Sequence, residues 1–168
     1  MKLIEVDKER YRKHLNRVLV ACALCLAISS LLLSQFLIYL FPDPSGSHFH
    51  WNAIGVLVSA ALVGLTLSKC RHHSYLTEVY YVWQLKQVLN KITRKMRKLE
   101  AAAQQGNADA MLALQYSYSG SRLLWQLDDN TIIMDELAVK QTTLNNLAEQ
   151  HNVKLNLDDF NEQLLKQF

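Results

Sequence analysis

Hydrophobic and polar positions fall into distinct regimes along this chain. Residues 18–41 run for 24 positions without a charged side chain, and residues 51–68 run for 18. As a helix the first reaches about 36 Å, enough to cross a hydrocarbon core of about 30 Å, and the second lies at the lower limit for a span. Beyond residue 69 the pattern becomes periodic. Val82, Leu85, Leu89, Ile92, Met96, Leu99 and Ala103 recur at alternating steps of 3 and 4, an a/d stripe over three heptads. It predicts one long amphipathic helix from an N-cap at Ser74 to Gln105, closed by Gly106.

Asn107 is placed to cap the next helix, with Asp109 in its first turn. This helix carries Met111, Leu112, Leu114, Tyr116, Tyr118, Leu123, Leu124, Trp125 and Leu127, and Ser119-Gly120-Ser121 predicts a bend in it. Asp128-Asp129-Asn130-Thr131 marks a break. A third helix follows to about Gln150, with Ile133, Leu137, Leu144, Leu147 and Ala148 facing inward. Residues 153–157 alternate with period two, a short extended piece. Asp159-x-x-Glu162 then fits a capping box for a last helix bearing Phe160, Leu164, Leu165 and Phe168. No Pro follows Pro44, which favours helix throughout.

The fold class expected is all-α: a two-helix transmembrane hairpin followed by a small cytoplasmic helical bundle with one long amphipathic helix. Three regions follow: a juxtamembrane leader over 1–17, the hairpin over 18–68 with an external loop at 42–50, and a helical domain over 69–168. The leader reads either as a separate short helix on anionic headgroups, with Leu3, Ile4, Val6, Tyr11 and Leu15 as its apolar contacts, or as an extension of the first span.

Charge orients the hairpin. The leader carries Lys2, Lys8, Arg10, Arg12, Lys13 and Arg17, Lys69 and Arg71 follow the second span, and the loop 42–50 has no Lys or Arg. Basic flanks stay cytoplasmic, so both termini are expected inside. Tyr39, Phe41, Phe49 and Trp51 sit where an aromatic belt belongs. A cleaved signal peptide does not fit, because its apolar core is much shorter than 24 residues.

The spans carry little chemistry. They hold no Asp, Glu, Lys, Arg or His, which argues against an ion or proton pathway. Ala23/Ala27, Ser30/Ser34, Gly55/Ser59 and Ala60/Gly64/Ser68 put small residues at four-residue spacing, which allows close helix approach within the hairpin or between protomers. Cys22-x-x-Cys25 lies within a span, where thiolate is disfavoured, so redox or zinc chemistry is not read into it. Cys70 reads as an unmodified boundary thiol, with acylation as the alternative. His48 and His50, with Asp43 nearby, and the pair His72-His73 are too few ligands for a metal centre.

The heptad stripe leaves two readings: packing against the chain's own helices, or a parallel coiled-coil seam between protomers through Val82, Leu85, Leu89, Ile92, Met96 and Leu99, with Lys95 facing Glu100. Charge divides the domain. Residues 69–99 hold eight Lys/Arg and one acid, whereas residues 100–168 hold four and ten, so the parts carry +7 and −6. The basic helix 86–98 is therefore expected to meet the acidic half, with anionic lipid at Lys91, Arg94, Lys95, Arg97 and Lys98 as the alternative. Nucleic acid is disfavoured, since no aromatics interleave in the basic run.

No phosphate loop, nucleophile elbow, HExxH or dinucleotide turn occurs. Catalytic, cofactor-binding and metal residues are accordingly assigned to none. His151 reads as part of a helix-ending His-Asn cap. Asp128, Asp129, Asp135 and Glu136 form the densest carboxylate group, and helix-capping accounts for them more simply than an unrecognised enzyme site at 128–136. The Ala-rich joint at 101–110, with Leu114, Tyr116 and Gly120, resembles a single Sel1-like repeat; with no second copy, it signifies a helical corner.

The stretches Glu5-Val-Asp-Lys-Glu-Arg-Tyr-Arg-Lys-His-Leu-Asn16, Phe49-His-Trp-Asn52 and Ser119-Gly-Ser-Arg-Leu-Leu-Trp-Gln-Leu-Asp-Asp-Asn-Thr131 resemble an uncharacterised family of short, two-span bacterial inner-membrane proteins, a domain of unknown function. The resemblance covers almost the whole chain. It implies a Gram-negative inner-membrane location and supplies no activity, cofactor or catalytic residue. The function expected is that of a non-enzymatic membrane protein presenting a helical cytosolic domain for self-association or for an unidentified protein partner; regulation through anionic membrane lipid is the alternative.

Overall fold

The computed structural model describes residues 1–42, 46–130 and 134–168; the expectations placed on Asp43, Thr131 and Ile133 lie outside them. Regular structure among the described residues is helical: α1 Lys8–Leu40, α2 Phe49–Cys70, α3 Thr77–Thr93, α4 Met96–Gln104, α5 Ala108–Leu127 and α6 Met134–Gln150, then short 3-10 helices at Leu157–Asp159 and Glu162–Gln167. The all-α expectation holds. The chain divides into two units, Glu9–Val79 and Met1–Lys8 with Tyr80–Phe168.

In the first unit α1 and α2 are both long and apolar enough to cross a membrane. Only 6% and 11% of their apolar windows is buried, so neither is a core helix covered by the rest of the chain. Of the two readings of the leader, continuation into the first apolar stretch holds for residues 8–17, since α1 runs unbroken from Lys8 to Leu40, while residues 1–7 are not helical. Small residues set the helix contact. A Cβ on Gly55 would lie 3.0 Å from Ser34 N and 3.1 Å from the Ser30 carbonyl, and Ser34 and Ser59 are buried. Gly64 faces open space, so the Ala60/Gly64/Ser68 series takes no part in this contact. Elsewhere hydroxyls bond back to their own helix, Ser29 Oγ to Cys25 O at 2.6 Å and Thr66 Oγ1 to Leu62 O at 2.8 Å. Phe41 stacks on Trp51 with centroids 5.2 Å apart.

The second unit is organised around α5, which is buried on most sides from Ala110 to Leu127. Asn107 caps it, its side chain accepting from Ala110 N at 3.0 Å. α4 ends as the sequence indicates. Gly106 takes φ +85°, with Gly106 N donating to Ala103 O and Asn107 N to Ala102 O, a Schellman pattern. α6 closes in the same way, with Asn152 at φ 53° and Val153 N donating to Ala148 O. The His151 ring packs onto Gly106, where a Cβ would lie 2.6 Å from its Nδ1.

Four local expectations are corrected. The helix expected from Ser74 to Gln105 starts at Thr77, after a turn, and is interrupted at Arg94-Lys95, where Lys95 leaves the helical region (φ −109°, ψ 5°). Lys95 Nζ donates there to Leu165 O at 2.6 Å, so the interruption coincides with docking of the last segment. Ser119-Gly120-Ser121 does not bend α5. Gly120 makes room for α3, since a Cβ would lie 3.1 Å from Leu89 Cδ2 and 3.2 Å from Leu85 Cδ1. The capping box Asp159-x-x-Glu162 does not form: Asn161 accepts from Gln163 N at 3.0 Å and opens a 3-10 helix. Lastly, Leu147 is half-buried rather than wholly inward.

Candidate functional site

The stripe residues are internal. Val82, Leu85, Leu89, Ile92 and Leu99 are buried and Met96 is half-buried, with Leu85 and Leu89 against Gly120 of α5. A seam between protomers would need these side chains exposed. The chain's own helices cover them instead, the first of the two readings the heptads allow.

The basic residues of 86–98 are largely met by the acidic half. Lys86 pairs with Asp128 at 3.5 Å, Lys91 with Glu162 at 2.6 Å, and Lys98 Nζ donates to Phe168 O at 2.5 Å. Together with Lys95 on Leu165 O, three of the five lipid-contact candidates engage the segment 162–168, leaving Arg94 and Arg97 at the exposed surface. Residues 1–8 behave similarly. Lys2 pairs with Asp158 at 3.2 Å and Lys8 with Asp129, while Ile4 N donates to Tyr81 Oη at 2.9 Å and Tyr81 Oη donates to Lys2 O.

The carboxylate group at 128–136 is dispersed among lysines. Asp128 faces Lys86, Asp129 faces Lys8, and Glu136 pairs with Lys140 one helical turn on, at 2.8 Å. The hydrogen bond from Lys140 lowers the Glu136 carboxyl below its ordinary value and raises Lys140. Among the described residues no three His, Cys, Asp or Glu are grouped to hold a metal ion. Burial pushes up the phenols of Tyr81, Tyr116 and Tyr118; the charge of Glu100 adds to this at Tyr118.

A cluster of polar side chains lies at the end of the hairpin formed by the start of α1 and the turn after α2. Glu78 receives Arg10 Nε at 2.8 Å on one oxygen and lies 3.2 Å from His14 Nδ1 on the other. The contact is sheltered, the side chains of His14 and Glu78 being only 12% and 18% exposed. Tyr75 stacks on the His14 ring at 3.9 Å, and its hydroxyl lies 3.5 Å from Arg17 Nη1. Arg10 and His14 stand four apart on α1, one above the other, which lets both reach one carboxylate. The signal available in the sequence was Glu78 itself, the single acid among the eight cations of 69–99.

Beside this cluster a groove of about 760 Å³ opens between α1 and α2. Its walls run from Val18 to Leu32 on one helix and from Leu62 to Cys70 on the other, and His73, Tyr75 and Leu76 line it where the chain turns after α2. Cys22, Cys25 and Cys70 all line it as free thiols. The lining is almost wholly apolar, a shape suited to hydrocarbon rather than to a polar substrate.

No curated protein and no solved structure matches the chain. A protein-family model does, over residues 1–165, under the description "Protein of unknown function (DUF3087)". With that match covering nearly its full length, the chain belongs to the DUF3087 family.

Proposed function

We propose that this is a non-enzymatic bacterial inner-membrane protein, anchored by α1 and α2 with both termini in the cytoplasm, that presents its helical unit to a protein partner at the membrane surface. The observation that carries the reading is a contrast between the units. α1 and α2 leave their apolar side chains uncovered, whereas the unit of 80–168 buries its stripe internally and neutralises much of its own charge. The absence of Lys and Arg from 42–50, against the cations of 1–17 and 69–71, supports the orientation.

A docking face is supported by Trp83. It is 54% exposed on α3 and stacks with Tyr80 at 5.7 Å, opposite the buried stripe. An exposed Trp on an otherwise polar surface is a typical anchor for a partner. Site-specific photocrosslinking from position 83 in membranes tests the reading, with one discrete adduct expected. Labelling of lipid alone, or of no protein, would count against it. Self-association through the heptad stripe gains no support, because that stripe is already covered. Lipid regulation through 86–98 is the weaker second reading, resting on Arg94 and Arg97.

A further inference from the structure

We propose that the groove between α1 and α2 binds one phospholipid with an anionic headgroup, its acyl chain between the helices and its phosphate at Arg17, Lys69 and Arg71. This rests on the membrane-anchored reading above and adds an occupant to it.

The shape supplies the first argument. α1 and α2 touch where Gly55 meets Ser34 and Ser30, and farther along they part to leave the groove. From Val18 to Leu32 is 14 helical steps, about 21 Å. That covers the roughly 15 Å depth of one leaflet, half of a hydrocarbon core, and extends about 6 Å beyond it. The hydroxyls of Ser29 and Thr66 on its walls are satisfied by their own helices, so the groove asks for no polar ligand along its length.

The rim supplies the second. Residues 13–17 and 69–73 carry Lys13, Arg17, Lys69 and Arg71 and no acid. Tyr75 lines the groove while its hydroxyl sits beside the Arg17 guanidinium, which places that cation at the mouth. Glu78 is already taken up by Arg10 and His14 and leaves these charges uncompensated. A basic rim over an apolar cleft between membrane helices is the arrangement that holds an anionic headgroup.

The limits of the groove along the helices supply the third. The Gly55–Ser34 contact bounds the groove at one end and the turn of His73, Tyr75 and Leu76 at the other. At about 21 Å the groove is shorter than either apolar helix of a second copy, about 33 Å or more, and its length suits an acyl chain better.

The test is native mass spectrometry of the full-length chain released from nanodiscs of equal phosphatidylglycerol and phosphatidylethanolamine, with alkaline carbonate extraction of the same membranes run beside it. One retained phosphatidylglycerol is expected, with its preference falling about fivefold for each cation removed by Arg17→Gln or Lys69→Gln. Cys25→Trp, which fills the groove from an exposed position, should lower retention of both lipids, and Arg97→Gln should change nothing. Retention of neither lipid, equal retention insensitive to Arg17→Gln, or a dimer in place of the lipid adduct overturns the proposal while the anchoring stands. Release of the chain by carbonate overturns the anchoring itself.

Discussion

Gly55 of α2 is pressed against Ser34 of α1 so closely that a Cβ there would lie 3.0 Å from the Ser34 backbone nitrogen. Backbone cannot give way as a side-chain tip can, so this contact fixes where the two apolar helices cross. Gly55→Ala is expected to lower the thermal midpoint of the detergent-solubilised chain. Gly64→Ala, with nothing within 4 Å of the added carbon, should be neutral or slightly stabilising through helix propensity. Equal effects of the two would remove Gly55 as the crossing point.

Leu99 is wholly buried among the chain's own helices. Leu99→Ala should cost about 2–5 kcal/mol of stability, as for other large-to-small core changes. The mass of the protein in detergent should stay the same. A change of oligomeric state without loss of stability would return the stripe to an intermolecular role.

Tyr116 carries the opposite sign. Its ring is fully buried and stacks on Phe160 at 4.0 Å, but its hydroxyl has no hydrogen-bond partner among the described residues. A buried donor left unmade is a cost that Tyr116→Phe removes with the stacking kept. A gain of about 1 kcal/mol, or about 4–8 °C in the midpoint of a unit of this size, is expected by scanning calorimetry. Destabilisation would mean that the hydroxyl is paired.

The same burial sets a pH dependence. Tyr81, Tyr116 and Tyr118 all have raised phenol values, chiefly through desolvation of the charged form. Above the ordinary tyrosine value of about 10 the unfolded chain therefore holds fewer protons than the folded one. Stability is then present below that pH and lost as it rises. Phenolate absorbance followed with thermal unfolding should show late ionisation and a falling midpoint; a midpoint flat from pH 9 to 12 would contradict it.

How much of this was legible beforehand follows from the range of each interaction. The apolar stretches, the Asn107 cap and the Gly106 terminus depend on neighbours along the chain, and they appear where the residues indicate. The heptad periodicity identified a buried face and left open whose helices cover it; that depends on how α5 folds back onto it, with Gly120 against Leu85 and Leu89. Gly120 shows the same limit. Its neighbours in sequence suggest a bend, whereas its neighbours in space, Leu85 and Leu89, show a packing notch. The Arg10–His14–Glu78 cluster joins Glu78 to residues 64 or more positions away, and its one trace in the sequence is that Glu78 is the single acid of 69–99.

The anchoring of both termini on one side is the central claim, and cysteine accessibility tests it most directly. In a background lacking Cys22, Cys25 and Cys70, Ser47→Cys and Gln167→Cys would be exposed in turn to a membrane-impermeant maleimide in spheroplasts. Labelling of position 47 in intact spheroplasts, and of position 167 only after lysis, is the predicted result. Labelling of position 167 in intact spheroplasts, or protection of position 47 until lysis, would contradict the account.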